Sequence, residues 1–311
     1  MASRRAVLRT PKRASPRESY DIFLYPAFFV LATFVIGLLI WNFGISLMMW
    51  PGYGPATYIG FDNYVDVFTN KAFWESFRNA IYYIVPMAIV PTIIGLVVSV
   101  AVFDLFGPRL QRWAVPVVRG GLYLPQVIPI AISAVIWGWM LDNTRGLVNV
   151  MLNQAGLGDL AHDWLRDPNV AIISLSVIMV WLQLGFSFVI FLAGLSRVDM
   201  SLVESAQLDG ASWWQRLRYI IVPQLRAEIS VVLLLSVVGA LKVFGPVYYV
   251  TRGGPNGATN SPAILAVSSF FGNHSVGYGS AVSTILAIVL GVGAAIVLST
   301  QRSSTFGGGE R

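Results

Sequence analysis

Cysteine is absent from the 311 residues, and histidine occurs only twice. Disulfides, thiolate metal sites and cysteine nucleophiles are therefore excluded. Charge is scarce too: Asp, Glu, Lys and Arg make up 12% of the chain, against about a quarter in a soluble domain. Lysine occurs three times, at Lys12, Lys71 and Lys242. A Walker-type phosphate loop needs Gly-Lys-Ser/Thr, and the residues after these lysines are Arg13, Ala72 and Val243. The chain thus has no such loop of its own. His162 and His274 fall in segments expected outside the membrane, which argues against a zinc enzyme or a histidine proton relay. Paired carboxylates, which a proton-coupled transporter or a membrane-embedded enzyme would want, are missing from the apolar runs.

What is present is apolar sequence: 56% of residues, with 29 glycines. Six runs of 20 or more residues carry almost no charge, at 23–50, 81–103, 121–141, 170–195, 229–250 and 279–299. At a rise of about 1.5 Å per residue each crosses a hydrocarbon core of about 30 Å. The expected fold is an all-α polytopic membrane protein with six transmembrane helices. Cations set its orientation. Fifteen Lys and Arg residues lie in the N-terminal tail, the second and fourth connections and the end of the chain, against five in the alternate connections. Both termini and residues 104–120 and 196–228 are therefore expected in the cytoplasm, and the net charge of +6 reflects this bias. The domain reading is a basic cytoplasmic tail over 1–20, one membrane domain over 21–300 and a disordered tail over 301–311. On the outer side, aromatics recurring through Gly60–Asn79 predict a helix lying along the interface.

Residues 201–226 are out of place in such a chain. Ser201 and Glu204 have capping-box spacing, so a helix is expected from Leu202. Asp209-Gly210 can stop it, because glycine tolerates the left-handed conformation at a helix end. Ser212 and Gln215 repeat the capping-box spacing, and Pro223 ends or kinks the second helix. The expected product is a bent pair of short helices at the membrane surface, a shape suited to docking.

This stretch resembles the EAA loop of ABC-importer permeases. Glu204, Ala206, Asp209, Gly210, Ala211, Trp214, Arg216 and Pro223 fit the carbohydrate-type version, while Ser205 and Leu217 depart from it. Further blocks fall in order with that family: Phe61-Asp62-Asn63-Tyr64, Asn79, Leu124-Pro125, Trp137 to Trp139, Gly146-Leu147-Val148-Asn149, Leu192-Ala193-Gly194-Leu195 and Thr251 to Thr259. The chain is similar to a permease subunit of the carbohydrate-uptake, binding-protein-dependent type, which includes maltose and glycerol-phosphate importers. The resemblance implies a non-enzymatic, pore-forming subunit with no cofactor of its own. Its implied partners are a second related permease in a heterodimer, a cytoplasmic ABC ATPase holding ATP and magnesium, and an extracytoplasmic solute-binding protein. A sugar is the implied cargo, with a glycerol-phosphate-type polyol as the alternative. The coupling residues it implies are Glu204, Ala206, Asp209, Gly210 and Ala211.

Lys242 is the one charge well inside an apolar run, about 12 Å from its outer end by helical rise. An intramembrane ammonium usually faces protein or a water-filled cavity, although it can also snorkel or pair with a neighbouring helix. Gly245-Pro246 is expected to break that helix. Trp137, Trp139, Trp181 and Tyr248 are candidates to stack on sugar rings, and Gln183 to add a polar contact. Each has the alternative of packing or anchoring at the interface.

Overall fold

The computed structural model describes the backbone of residues 16–105 and 107–306, and the side chains of residues 24–103 and 116–295. In hydrocarbon a backbone must satisfy its own hydrogen bonds, so the apolar runs become helices. Helix α1 (Pro16–Leu31), a π-helical turn at Ala32–Gly37 and α2 (Leu38–Ser46) follow one another, with Leu24–Ser46 as the spanning part. A two-stranded antiparallel pair, β1 (Met48–Met49) and β2 (Thr57–Tyr58), joins Met48 to Tyr58 and Met49 to Thr57. Next come α3 (Asp62–Thr69), α4 (Lys71–Ile84), a π-helical segment at Val85–Ile89 and α5 (Val90–Leu105). The π segment stands just before Pro91, which has no N–H to close the ladder. Lys71–Phe103 is one span of 33 residues, so only α3 is a separate element of the expected interfacial helix; the rest belongs to the second span.

The third run is not one straight helix. Helices α6 (Gly107–Val127) and α7 (Ile130–Met140) meet at a 98° bend. Pro129, in extended conformation at φ −52° and ψ 133°, cannot continue α6 and instead begins α7. After α8 (Leu147–Gln154) comes α9 (Ala171–Leu195), an unbroken 25-residue span. The loop helices are α10 (Met200–Leu208), α11 (Trp213–Arg216), a π-helical stretch at Leu217–Ile221 and α12 (Val222–Gln224). The chain bends by 77° beyond Gln224 into α13 (Arg226–Leu241). The run expected at 229–250 is then divided at Lys242–Phe244, and α14 (Gly245–Val250) continues it. The break precedes Gly245-Pro246, and Pro246 sits in the first turn of α14, where its missing N–H costs nothing. The short apolar α15 (Pro262–Phe271) and the final α16 (Val276–Phe306) complete the chain. Among the described residues, four helices are long and apolar enough to cross a membrane, or up to six if each bent pair counts as one span. The last helix continues through residues 301–306, where a disordered tail was expected; residues 1–15 and 307–311 lie outside the described part.

Helix α9 is the axis of the bundle, in contact with α5, α6, α13 and α14. It approaches α6 most closely at Gly185, where a Cβ would collide with the Leu122 carbonyl and lie 2.8 Å from Tyr123 Cα. Only glycine allows that approach. The first span is peripheral, with Phe28, Phe29, Phe34 and Trp41 exposed along it. It is tied to α16 through Asn42, whose Nδ2 donates to Ser280 O at 3.2 Å and Thr284 Oγ1 at 2.9 Å.

Candidate functional site

Two regions of the chain expose groups that a structural role does not use. The first is the 196–228 loop. Asp199, not Ser201, caps α10: its Oδ1 accepts from Ser201 N at 3.0 Å and Ser201 Oγ at 2.7 Å. These bonds, the side-chain one foremost, hold the Asp199 carboxyl below its ordinary pKa. The helix therefore starts at Met200 rather than Leu202, and Glu204 lies beyond the position from which it could complete a cap. Glu204 is exposed and makes no hydrogen bond or ion pair among the described residues.

The stop at Asp209-Gly210 forms as expected. Gly210 has φ +82°, its N–H donates to Gln207 O at 3.1 Å, and Ala211 N donates to Ala206 O at 2.9 Å. These are the two bonds of a Schellman motif with Gly210 as the left-handed residue. The second capping box is complete. Gln215 N donates to Ser212 Oγ at 3.4 Å, and Ser212 N donates to Gln215 Oε1 at 2.7 Å. Arg216, buried, donates from Nη1 to Gln207 Oε1 at 2.6 Å and so braces α11 against α10.

An apolar cluster beneath the turn anchors it to the spans: Val203, Leu217, Ile221 and Leu225 pack with Val100, Leu195 and Val198. At the base, Arg197 is ion-paired to Glu228, and Asp199 N donates to Gln224 Oε1 at 3.1 Å. On the other side the loop presents apolar groups to solvent. Leu208 is 90% exposed, Tyr219 69% and Trp214 64%. Ala206 and Ala211 are half-buried beside them. The loop is thus a capped turn with an apolar, exposed tip, a kind of patch that marks interaction surfaces in general.

The second region surrounds the two broken spans. Gly245, first in α14, faces Ile130, first in α7, with an added Cβ 3.5 Å from the Ile130 side chain. The two discontinuities thus meet. Lys242 caps α13 at its break rather than lying within a continuous helix; it is exposed and its side chain has no ion pair or hydrogen-bond partner among the described residues. Val243 O, freed by the break, accepts from Ser261 Oγ at 2.8 Å. Trp137 on α7 and Trp181 on α9 are in edge-to-face contact at 5.6 Å, and Trp137 Nε1 is buried without a partner. Trp139 is 75% exposed. Tyr248 is 40% exposed and stacks on Phe244 at 5.0 Å. Gln183 donates from Nε2 to Ser236 Oγ at 3.1 Å, so its amide cross-links α9 to α13. The six candidates therefore lie on α7, α9, α14 and the end of α13, with α14 packed on both α7 and α9, and α13 packed on α9. The structure joins Trp137 to Trp181 directly and gives Gln183 an internal task.

Outside this region the 251–260 loop is pinned to α4. Asn79 Nδ2 donates to Ala258 O at 3.1 Å and Asn260 O at 3.0 Å, and Tyr83 OH donates to Thr259 O at 2.7 Å. Asn79 appeared in the sequence only as a motif residue, and its task is structural. No group of three His, Asp or Glu residues within metal-binding reach occurs among the described residues.

The family model of the "binding-protein-dependent transport system inner membrane component" matches residues 106–302. The probable ABC transporter permease protein PH1215 of Pyrococcus horikoshii is 32% identical, over 89% of this chain and 94% of its own. The trehalose/maltose transport system permease protein MalF of Thermococcus litoralis is also 32% identical, over 86% and 88%. The fold is that of a solved bacterial alginate ABC transporter, in complex with an alginate pentasaccharide-bound periplasmic protein. The TM-score is 0.78 at 21% identity, over 93% of this chain and 96% of the matched one. The chain belongs to the binding-protein-dependent inner membrane transport components, and is an ABC-importer permease of the cell membrane.

Proposed function

We propose that this chain is the pore-forming permease subunit of an ATP-driven, binding-protein-dependent importer of a sugar or oligosaccharide. The observation that carries this reading is the capped turn at 200–216, stiff at its base and apolar at its tip, within the matched family segment. In this reading Glu204, Ala206, Asp209, Gly210 and Ala211 seat in a cytoplasmic ATPase that holds ATP and magnesium, and the N-terminus and residues 104–120 share that side. A second, related permease completes the pathway, and a solute-binding protein delivers cargo from outside. Closure of the ATPases pushes on the turn, and α9 and α13 carry the displacement to the broken spans. Lys242, Trp137, Trp139, Trp181, Gln183 and Tyr248 are the pathway residues proposed. A saccharide cargo is supported by the trehalose/maltose relative. The free ammonium of Lys242 favours one variant, a glycerol-phosphate-type polyol.

The test is reconstitution of the tagged chain with its co-purifying proteins in vesicles. Labelled mono- and oligosaccharides and a glycerol phosphodiester are offered through the binding protein. ATP-dependent uptake of a saccharide is expected. Uptake of the phosphodiester alone selects the variant, and absence of any co-purifying ATPase refutes the whole reading. Sidedness has its own assay, because the native chain has no cysteine. Ser212→Cys should resist, and Asn143→Cys accept, an impermeant thiol reagent in intact cells.

A further inference from the structure

Helices α6 and α9 touch at Gly185 and diverge beyond it, one turn further along α9 at Val189. The wedge they leave is a groove of about 360 Å³, lined by Pro116, Arg119, Gly120, Tyr123 and Val189. Its walls are apolar apart from Arg119 and the Tyr123 hydroxyl. Arg119 is exposed and has no hydrogen bond or ion pair among the described residues. Gly120 leaves the floor as bare backbone: a Cβ there would meet nothing within 4 Å. Two consecutive glycines, Gly120 and Gly121, each cost about 1 kcal/mol relative to alanine in a helix, and neither is needed for a close approach.

The level of the groove is set by α9. Val189 lies six residues, about 9 Å by helical rise, from Leu195, where the span ends and the 196–228 loop emerges. With Ala171–Leu195 as a span, the groove sits in the outer part of the acyl region, and a long arginine side chain reaches from there to the headgroups. Along α6, positions 116, 119 and 123 recur at steps of three and four, so Pro116, Arg119 and Tyr123 share one helical face. An apolar slot at that depth, beside a cation that reaches the headgroups, is complementary to an acyl chain topped by an anion.

We infer that the α6–α9 groove is a binding site for an anionic phospholipid, with the phosphodiester on Arg119 and an acyl chain along Gly120, Tyr123 and Val189. Because the groove is walled by α9, which leads directly into the loop, an occupying lipid stiffens the connection through which the loop is held.

Retention of lipid by the purified full-length chain tests this by native mass spectrometry, so its outcome does not depend on transport or on the cargo. The probes are phosphatidylglycerol and phosphatidylcholine with identical acyl chains, supplied in equal amounts in mixed micelles. The chain should retain phosphatidylglycerol preferentially. Arg119→Gln should lower that retention about fivefold, the weight of one interfacial arginine, while Arg119→Lys keeps most of it. Gly120→Leu, which fills open space, should reduce retention of both lipids. Arg252→Gln, in the 251–260 loop, should change nothing. Equal retention in the wild type and in Arg119→Gln overturns the inference, as does an equal loss in Arg252→Gln. Displacement of the lipid by soluble glycerophosphoglycerol at matched concentration would assign the site to a soluble phosphodiester and also overturn it. If Gly120→Leu does not fold, the Arg119→Gln and Arg119→Lys pair decides.

Discussion

Valine in place of Gly210 isolates the contribution of one backbone conformation to coupling. Gly210 sits at φ +82°, and a Cβ built on it meets nothing within 4 Å. Steric collision with the rest of the protein therefore contributes nothing, and the whole cost is local. A side chain in the left-handed region costs about 1–2 kcal/mol, and a β-branched one falls at or above the top of that range. Such a penalty changes the ratio of the native turn to its alternatives by about 5- to 30-fold. The alternatives lose the bonds from Gly210 N to Gln207 O and from Ala211 N to Ala206 O, and with them the angle between α10 and α11. Asparagine tolerates the left-handed region far better than valine. Gly210→Asn should therefore keep most of the coupling that Gly210→Val loses. The assay is substrate-stimulated ATP hydrolysis and uptake in vesicles that contain the permeases, the ATPase and the binding protein. Expression and membrane insertion should match wild type in both variants, because the site is exposed. Full stimulated hydrolysis and uptake in Gly210→Val would refute the reasoning, and so would identical losses in the valine and asparagine variants.

Lys242→Leu should impair uptake severalfold with expression near normal, because the Lys242 side chain is exposed at a helix break and unpaired among the described residues; unchanged uptake of every cargo in the panel returns it to a packing role. Arg197→Met should lower thermal stability by about 1–2 kcal/mol, because it strips the cation from Glu228, whose side chain is only 15% exposed and whose Oε2 already lacks a partner. Glu228→Gln should cost less, and the reverse order in a melting series would contradict the assigned geometry. The pH dependence of the α10 cap follows from the lowered pKa of Asp199. The capped form is favoured above the ordinary carboxylate value of about 3.9, and this contribution disappears as pH falls through the lower folded value. Asp199→Ala should speed amide exchange in the first turn of α10 severalfold, and should remove that acid sensitivity. A variant that keeps the same acid response would reassign it.

The parts of the fold that were legible in the sequence are those fixed by short-range chemistry. The span 170–195 emerges as Ala171–Leu195 because nothing in it interrupts the helical ladder. The Schellman turn at Gly210 and the capping box at Ser212 and Gln215 form because each needs only a few neighbouring residues. The cap of α10 was misplaced for a related reason. Ser201-x-x-Glu204 satisfies the spacing rule, but Asp199, two residues upstream, is the stronger acceptor and captures both the Ser201 amide and its hydroxyl. The bend at Pro129 lay inside an apolar run whose composition alone reads as a continuous span, although a proline was its visible mark. Helix α15 is a mostly apolar helix of ten residues, too short to register as a span. The meeting of Gly185 with Leu122, and of Gly245 with Ile130, depends on the packing of distant segments, and no local pattern encodes it. Glu204 is not part of the cap, which Asp199 supplies, and its carboxylate has no bond among the described residues.

Ser261 carries a mechanical consequence. One hydroxyl accepts from Ile264 N at 3.3 Å, starting α15, and donates to Val243 O at 2.8 Å, closing the gap in the divided span. Its chain neighbours Ala258, Thr259 and Asn260 are bonded through their carbonyls to Asn79 and Tyr83 on α4. The break near Lys242 is therefore no free hinge. A load applied to the 251–260 segment is shared between α4 and the junction of α13 with α14, and the segment transmits it as a keystone does, by staying in register with both. Ser261→Ala would leave a carbonyl and an amide without this partner in one step, and would turn a stiff transmission into a slack one.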